Sequence, residues 1–322
     1  MTAPAPLPTR LRAFFRARWP LVPNLLGAAA LVVSLSFTAQ AALGSTGLVV
    51  GLQELFAFLL AAGTSLLMRA YDELKDVETD LKLAQSGDAL FADRPIATGA
   101  VLPADLVLLK NIALAVFALG GAGAVWRSSA PLWAAALSVA LLGTVWFSSR
   151  WFFWPRVQRD LLLAFLTHNP IAGVVGAALV ASLARDPLPP LVTAALIASS
   201  WFPIGAWEVA RKLRAPADET AYETYSRRLG VGRAALLATT LAALSLGALV
   251  ILAKAAAASP WYLAVASASA GLLIVGAAAY AWRPTSRSAK LRPLAEQFAL
   301  VATAGLPVAL ALSHGVRWEG VP

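Results

Sequence analysis

The sequence predicts an all-α membrane protein, a bundle of about nine transmembrane helices forming one domain over residues 1–322. Three observations predict it. Hydrophobic residues make up 59% of the chain and charged residues 13%, and the mean hydropathy of +0.71 exceeds what a water-soluble domain carries. Nearly charge-free runs of the length that spans a bilayer recur along the chain. The charges between those runs fall heavily on alternate connections.

Taken in order, residues 1–18 form a short basic segment with Arg10, Arg12, Arg16 and Arg18. The spans that follow are read at 20–43, 48–70, 104–125, 130–149, 160–183, 189–209, 233–253, 260–282 and 293–314. Ala39-Gln40-Ala41 imitates a signal-peptidase site, but the apolar run before it is longer than a usual signal h-region, so the run is read as the first span. With a cytoplasmic N-terminus, 22 of the 26 Lys and Arg lie on the cytoplasmic side and only Arg127, Arg185, Lys254 and Arg317 on the other. That asymmetry orients the bundle with its N-terminus in and C-terminus out.

Composition also narrows the chemistry. The absence of cysteine excludes disulfides and thiolate metal sites. Two histidines, His168 and His314, make a histidine zinc centre improbable. The net charge of +9 does not imply nucleic acid, because the charges sit at the ends of membrane spans.

Against that oily background, Asp72, Glu73, Asp76, Glu78 and Asp80 occupy nine residues at the end of the second apolar run. Asp72, Asp76 and Asp80 recur every four residues, which places them on one face of a helix. Successive carboxylates then stand about 6 Å apart along the axis. Like charges at that spacing repel unless a cation joins them, and hard oxygen donors suit Mg²⁺ held together with substrate phosphates. The plainer reading is a solvated helix end beside Lys75 and Lys82.

This stretch resembles the first aspartate-rich motif of the UbiA superfamily of intramembrane prenyltransferases, Asn-Asp-x-x-Asp-x-x-x-Asp followed by a loop with Arg-Pro and Gly. The matching residues are Asp72, Glu73, Asp76 and Asp80, then Arg94, Pro95 and Gly99. Asp72 stands where the family has Asn, and the loop from Asp80 to Arg94 is longer than expected. Phe147–Arg156 takes the place of the family's Tyr-x-x-x-Lys-Arg loop, with Arg150 at the final Arg and Ser149 in place of Lys. Read alone, that loop is a positive-inside anchor with interfacial tryptophans. Trp207–Glu219, with Thr224-Tyr225-Ser226 and Gly230, resembles the second acidic motif more loosely, since no Asp pair there has the i, i+4 spacing. Together 72–80 and 208–223 hold nine of the 17 acids, on one membrane face.

The resemblance implies Mg²⁺-dependent transfer of a prenyl group from a prenyl diphosphate to an aromatic, lipid or other small acceptor. Its partners would be that diphosphate, the acceptor and the bilayer, with no nucleic acid. The implied metal ligands are Asp72, Glu73, Asp76, Asp80, Glu208 and Asp218. Arg94, Arg150, Arg211 and Lys212 would hold the diphosphate, and Asp76, Asp80 and Arg150 would be catalytic. A UbiA-type terpene cyclase is the alternative within enzymes. A transporter is disfavoured because its acids belong near the bilayer midplane.

Three polar positions stand apart. Glu54 lies inside the second run, five helical turns before Asp72 on the same side. It is either a contact to an acceptor or a hydrogen-bonded packing residue. His168-Asn169-Pro170 predicts a kink with cavity-facing polar groups in the fifth span. Glu296 reads as a partner for a nearby arginine.

The cysteine-free chain makes the topology directly testable. Single cysteines at Ser86 and Ser286 should label from the cytoplasm and one at Ser129 from the opposite side. Labelling of Ser86 and Ser129 from the same side contradicts the nine-span arrangement.

Overall fold

A computed structural model describes residues 5–86, 89–219 and 223–319. Among them, nine helices are long and apolar enough to cross a membrane: Leu21–Ala42, Leu52–Gln85, Pro103–Arg127, Pro131–Ser149, Leu161–Leu183, Pro190–Arg211, Val231–Ala255, Pro260–Trp282 and Arg292–His314. Eight of them agree with the sequence reading to within two residues at each end. The second does not. Its 34 residues run about 50 Å, well beyond a hydrocarbon core of about 30 Å. No Gly or Pro interrupts residues 64–86, and the good helix formers Leu, Glu, Lys and Ala carry the helix on past the apolar run. Its last four turns, bearing the acidic cluster, therefore extend past the apolar part of the bundle.

The basic N-terminal segment is itself a helix, Leu7–Ala17. Phe14 is fully buried, Arg10 pairs with Asp105 and Arg18 with Glu73. Trp19 then donates to Ser65 Oγ at 3.1 Å, fixing the entry to the first span.

The fifth span breaks where Pro170 lacks an amide hydrogen, into Leu161–His168 and Ile171–Leu183. The ninth loosens into one π-helical turn at Val301–Gly305. One departure from the all-α reading is a pair of three-residue parallel strands, Leu48–Val50 and Val316–Trp318. Leu48, Val49 and Val50 had been read as the start of the second span, because three residues are too few to show a strand's alternation.

Small residues let the helices touch backbone to backbone. A Cβ on Gly120 would lie 2.3 Å from the Leu60 nitrogen, and one on Gly63 would lie 2.6 Å from the Phe117 nitrogen, so spans two and three meet at these glycines. Spans five and six instead set side chains against glycine, the Trp201 ring on Gly173 and the Ser200 hydroxyl on Gly176. Gly120→Val should cost about 1–3 kcal/mol through overpacking. Gly143→Val, at a position with nothing within 4 Å, should be near neutral in the same thermal unfolding series in detergent.

Candidate active site

Three stretches meet at the mouth of the bundle that carries most of the basic residues. The first is the projecting end of the second span. Asp72 Oδ1 accepts from Lys75 Nζ at 2.7 Å, and that ammonium also sits over the Trp151 ring, 4.3 Å from its centroid. Glu73 is buried, accepts from Arg18 Nε at 2.7 Å and pairs with Arg69 one turn away. Asp80, 3% exposed, is paired with Arg94, whose guanidinium lies over the Phe91 ring. Asp76 is half-buried and forms no hydrogen bond or ion pair among the described residues. A carboxylate placed that way fits an additional cation.

Arg94 is aimed by a tight loop. Its carbonyl accepts from the Ala97 and Thr98 amides, Pro95 O accepts from Val101 N, and Gly99 turns the chain with φ +73°. That left-handed value is open to glycine and costly for most other residues.

The second stretch follows the fourth span. Arg150 is exposed and unpartnered among the described residues. Trp151, Phe152 and Phe153 all have positive φ, at 51°, 54° and 54°. Three consecutive aromatic residues in the left-handed region hold real strain, which persists only where surrounding contacts impose it. Here the turn sets the Trp151 and Phe152 rings edge-on to His168, with centroids 5.5 and 5.3 Å away. His168 Nδ1 lies 3.0 Å from Ala164 O. Its Nε2 is buried near the Ser148 backbone without completing a hydrogen bond. Asn169 Oδ1 accepts from Trp201 Nε1 at 2.6 Å, tying the kink to span six.

The third stretch is the end of span six and the chain up to residue 229. Glu208 pairs with Arg211 at 2.6 Å and Lys212 at 3.0 Å. Asp218 is exposed on a 3₁₀ turn and unpartnered among the described residues. Glu219 accepts from Thr224 Oγ1 and Ser226 Oγ, each at 2.7 Å, so it closes its own loop. This loop is fastened to the second stretch by Arg228 on Asp160, by Glu223 accepting from the Leu161 amide, and by Tyr225 edge-on to Phe165. Asp160 caps the helix that follows. The Leu163 and Leu162 amides and Arg228 hold its carboxyl below the usual carboxylate range.

The contacts thus run from Asp72 and Lys75 through Trp151 and His168 to Phe165 and Tyr225. They do not gather the acids into one cage: among the described residues no three His, Asp or Glu side chains stand close enough to share a metal. Glu54 lies at the other end of span two, about 27 Å along the axis from Asp72. It caps the helix, accepting from Gly51 N at 2.8 Å and Ser36 Oγ at 2.7 Å, and pairs with Arg185 at 3.1 Å. That is the hydrogen-bonded packing role. Glu296 pairs with Arg292 at 2.7 Å, as expected. The left-handed aromatic turn was missed, since nothing in Trp-Phe-Phe favours positive φ. The Thr224–Ser226 clasp on Glu219 had a signal, a helix-capping Thr just before Tyr225.

Fold and composition together define an α-helical integral membrane protein with nine apolar spans among the described residues. No protein-family model matches the sequence, and no curated protein does. Solved structures do match. One, described as digeranylgeranylglyceryl phosphate synthase in membranes, shares 13% identity with a TM-score of 0.64, covering 94% of this chain and 98% of that one. A UbiA homolog from Aeropyrum pernix K1 shares 15% with a TM-score of 0.57, covering 88% and 98%. A UbiA homolog from Archaeoglobus fulgidus, bound to DMAPP and Mg²⁺, shares 14% with a TM-score of 0.48, covering 89% and 97%. The fold is the UbiA fold.

Removing Arg94 strands a buried carboxylate, so Arg94→Met should destabilise the protein by about 3 kcal/mol. Arg150→Met, at an exposed and unpartnered site, should leave the thermal midpoint unchanged.

Proposed function

We propose that the protein transfers a prenyl group from a prenyl diphosphate to an acceptor at this mouth, with Mg²⁺ as cofactor. The observation that carries the proposal is Asp76. It is a half-buried carboxylate without a partner among the described residues, on the face shared by Asp72 and Asp80, on a helix that leads out of an apolar UbiA-type bundle. The aspartate motif and the Arg94–Gly99 loop support the same reading.

Asp76 offers a hard oxygen donor to Mg²⁺ and the substrate phosphates would supply most of its shell, with Asp72 and Asp80 joining only on release from Lys75 and Arg94. Bound there, the metal would counter the negative charge that develops on the departing diphosphate. Glu73 is engaged by Arg18 and Arg69, so its part is to anchor the helix. Glu208 is engaged by Arg211 and Lys212, and Asp218 is exposed, which leaves the second motif a supporting role. Arg94, Arg150, Arg211 and Lys212 are the cations offered to diphosphate oxygens. A polyanion with its metal would let Arg94 and Lys75 exchange carboxylate for phosphate partners.

The bundle supplies apolar walls for an isoprenoid tail and keeps water from the reacting carbon. Trp151 already holds an ammonium over its ring, the same electrostatics that would steady positive charge on an allylic carbon. On the acceptor side Asn169 is engaged by Trp201, whereas His168 Nε2 has capacity left, so His168 is the group offered to an acceptor.

The test is diphosphate release by purified protein with Mg²⁺ and prenyl diphosphates of graded length, with and without membrane extract as acceptor source. Asp76→Ala should lower the rate at least about 100-fold, from the several kcal/mol a bound metal contributes to a developing charge. Asp218→Ala should lower it far less. Near-normal turnover by a folded Asp76→Ala protein refutes the proposal, and a cyclic hydrocarbon formed without acceptor would turn it to the cyclase.

A further inference from the structure

Two large grooves have linings separate from the residues of the mouth. One, of about 520 Å³, runs between spans one and two and reaches Glu54 and Glu319. Both carboxylates are already satisfied, Glu54 by Arg185, Ser36 and Gly51, and Glu319 by Arg127. It offers no polar group to a ligand.

The second groove differs on that point. It encloses about 620 Å³ at the foot of spans eight and nine, where Ala279, Leu291 and Leu294 form an apolar floor and Arg283, Arg287 and Lys290 the rim. All three cations are exposed and none has a carboxylate partner among the described residues. The connection 283–291 contains no acid, and the next one along, Glu296, is held by Arg292 and Trp207. The turn that presents these cations is knitted by short-range bonds: Ser288 Oγ donates to Arg283 O at 2.6 Å and accepts from Thr285 N at 2.9 Å. Trp282, 82% exposed, closes the eighth span beside it, a position where aromatic rings are enriched in membrane proteins.

An apolar trough along a helix, ending in three exposed cations on one short turn, matches one class of molecule. We propose that this groove binds an anionic glycerophospholipid of the adjoining leaflet, its phosphate among Arg283, Arg287 and Lys290 and one acyl chain against Ala279 and Leu294. Charge complementarity selects the headgroup, because zwitterionic lipids add a cation that the rim repels. The site is distinct from the mouth where Asp76 lies, and binding there would fix the connection between the last two spans.

The experiment is native mass spectrometry of the purified full chain in detergent micelles with dioleoylphosphatidylglycerol or dioleoylphosphatidylcholine. One phosphatidylglycerol should be retained about tenfold better than phosphatidylcholine, as expected where fixed cations meet an anionic headgroup. R283Q/R287Q/K290Q should abolish the preference, and A279W should weaken retention by blocking the acyl chain while keeping every cation. R12Q/R16Q, which removes two unpaired cations elsewhere, should leave it intact. Excess inorganic phosphate should not displace the lipid. Equal retention of the two lipids, or an unchanged preference in the triple variant, overturns the proposal. So does a loss in R12Q/R16Q equal to that of the triple variant, or full displacement by inorganic phosphate. Should the triple variant not fold, A279W with unaltered retention also overturns it.

Discussion

A helix that carries five acids out of an apolar bundle must neutralise the two it buries, Glu73 and Asp80, and each takes a cation from another part of the chain. Glu73 reaches Arg18 in the N-terminal segment and Arg69 on its own helix. Asp80 reaches Arg94 across the next connection, while the more exposed Asp72 pairs with Lys75 on its own helix. Beside them Asp105, at the start of span three, takes Arg10. Buried carboxylates without such partners cost several kcal/mol, so these pairs dictate where the N-terminal helix and the 91–99 loop must lie. The geometry of the mouth follows from that requirement.

The two ends of the bundle meet the same constraint with different results. At the far end Glu54, Ser36, Gln40 and Arg185 bond among themselves, and the Leu48–Val50 and Val316–Trp318 strands close over them with Glu319 on Arg127. Pairing is incomplete at both ends: among the described residues Arg185 Nε lacks a partner at the far end, as do Asp76, Arg150 and His168 Nε2 at the mouth, where they lie beside a strained aromatic turn. Strain beside unmet polar capacity sets the mouth apart from the far end and supports the proposed site.

Much of this was legible in the sequence. Apolar run length fixed eight spans to within two residues, because a bilayer allows little freedom in length. The spacing of Asp72, Asp76 and Asp80 revealed a helix continuing beyond the membrane only in part. Hydropathy ends the span near residue 70, whereas the backbone follows helix propensity to Gln85. The fate of Glu73 was not legible, since its partner Arg18 is 55 residues away and pairing at that distance leaves no local pattern. Nor was the left-handed turn at Trp151–Phe153, which contacts with His168 impose on residues of no such preference. The strands at 48–50 and 316–318 are joined across nearly the whole chain and are too short to announce themselves.

Under the proposed function, the aspartate face and the apolar bundle act on one ligand, a prenyl chain tipped with diphosphate and bridged by Mg²⁺. Thermal unfolding with an uncleavable thio-linked prenyl diphosphate measures this directly, because a ligand stabilises the state that binds it. Metal and ligand should act reciprocally, each tightening the other by the same factor. The account predicts a rise in the midpoint only when both are present, lost in Asp76→Ala, kept in Glu219→Ala, and larger than with inorganic diphosphate. Stabilisation by the analogue that is indifferent to Mg²⁺, or none with either, would contradict it.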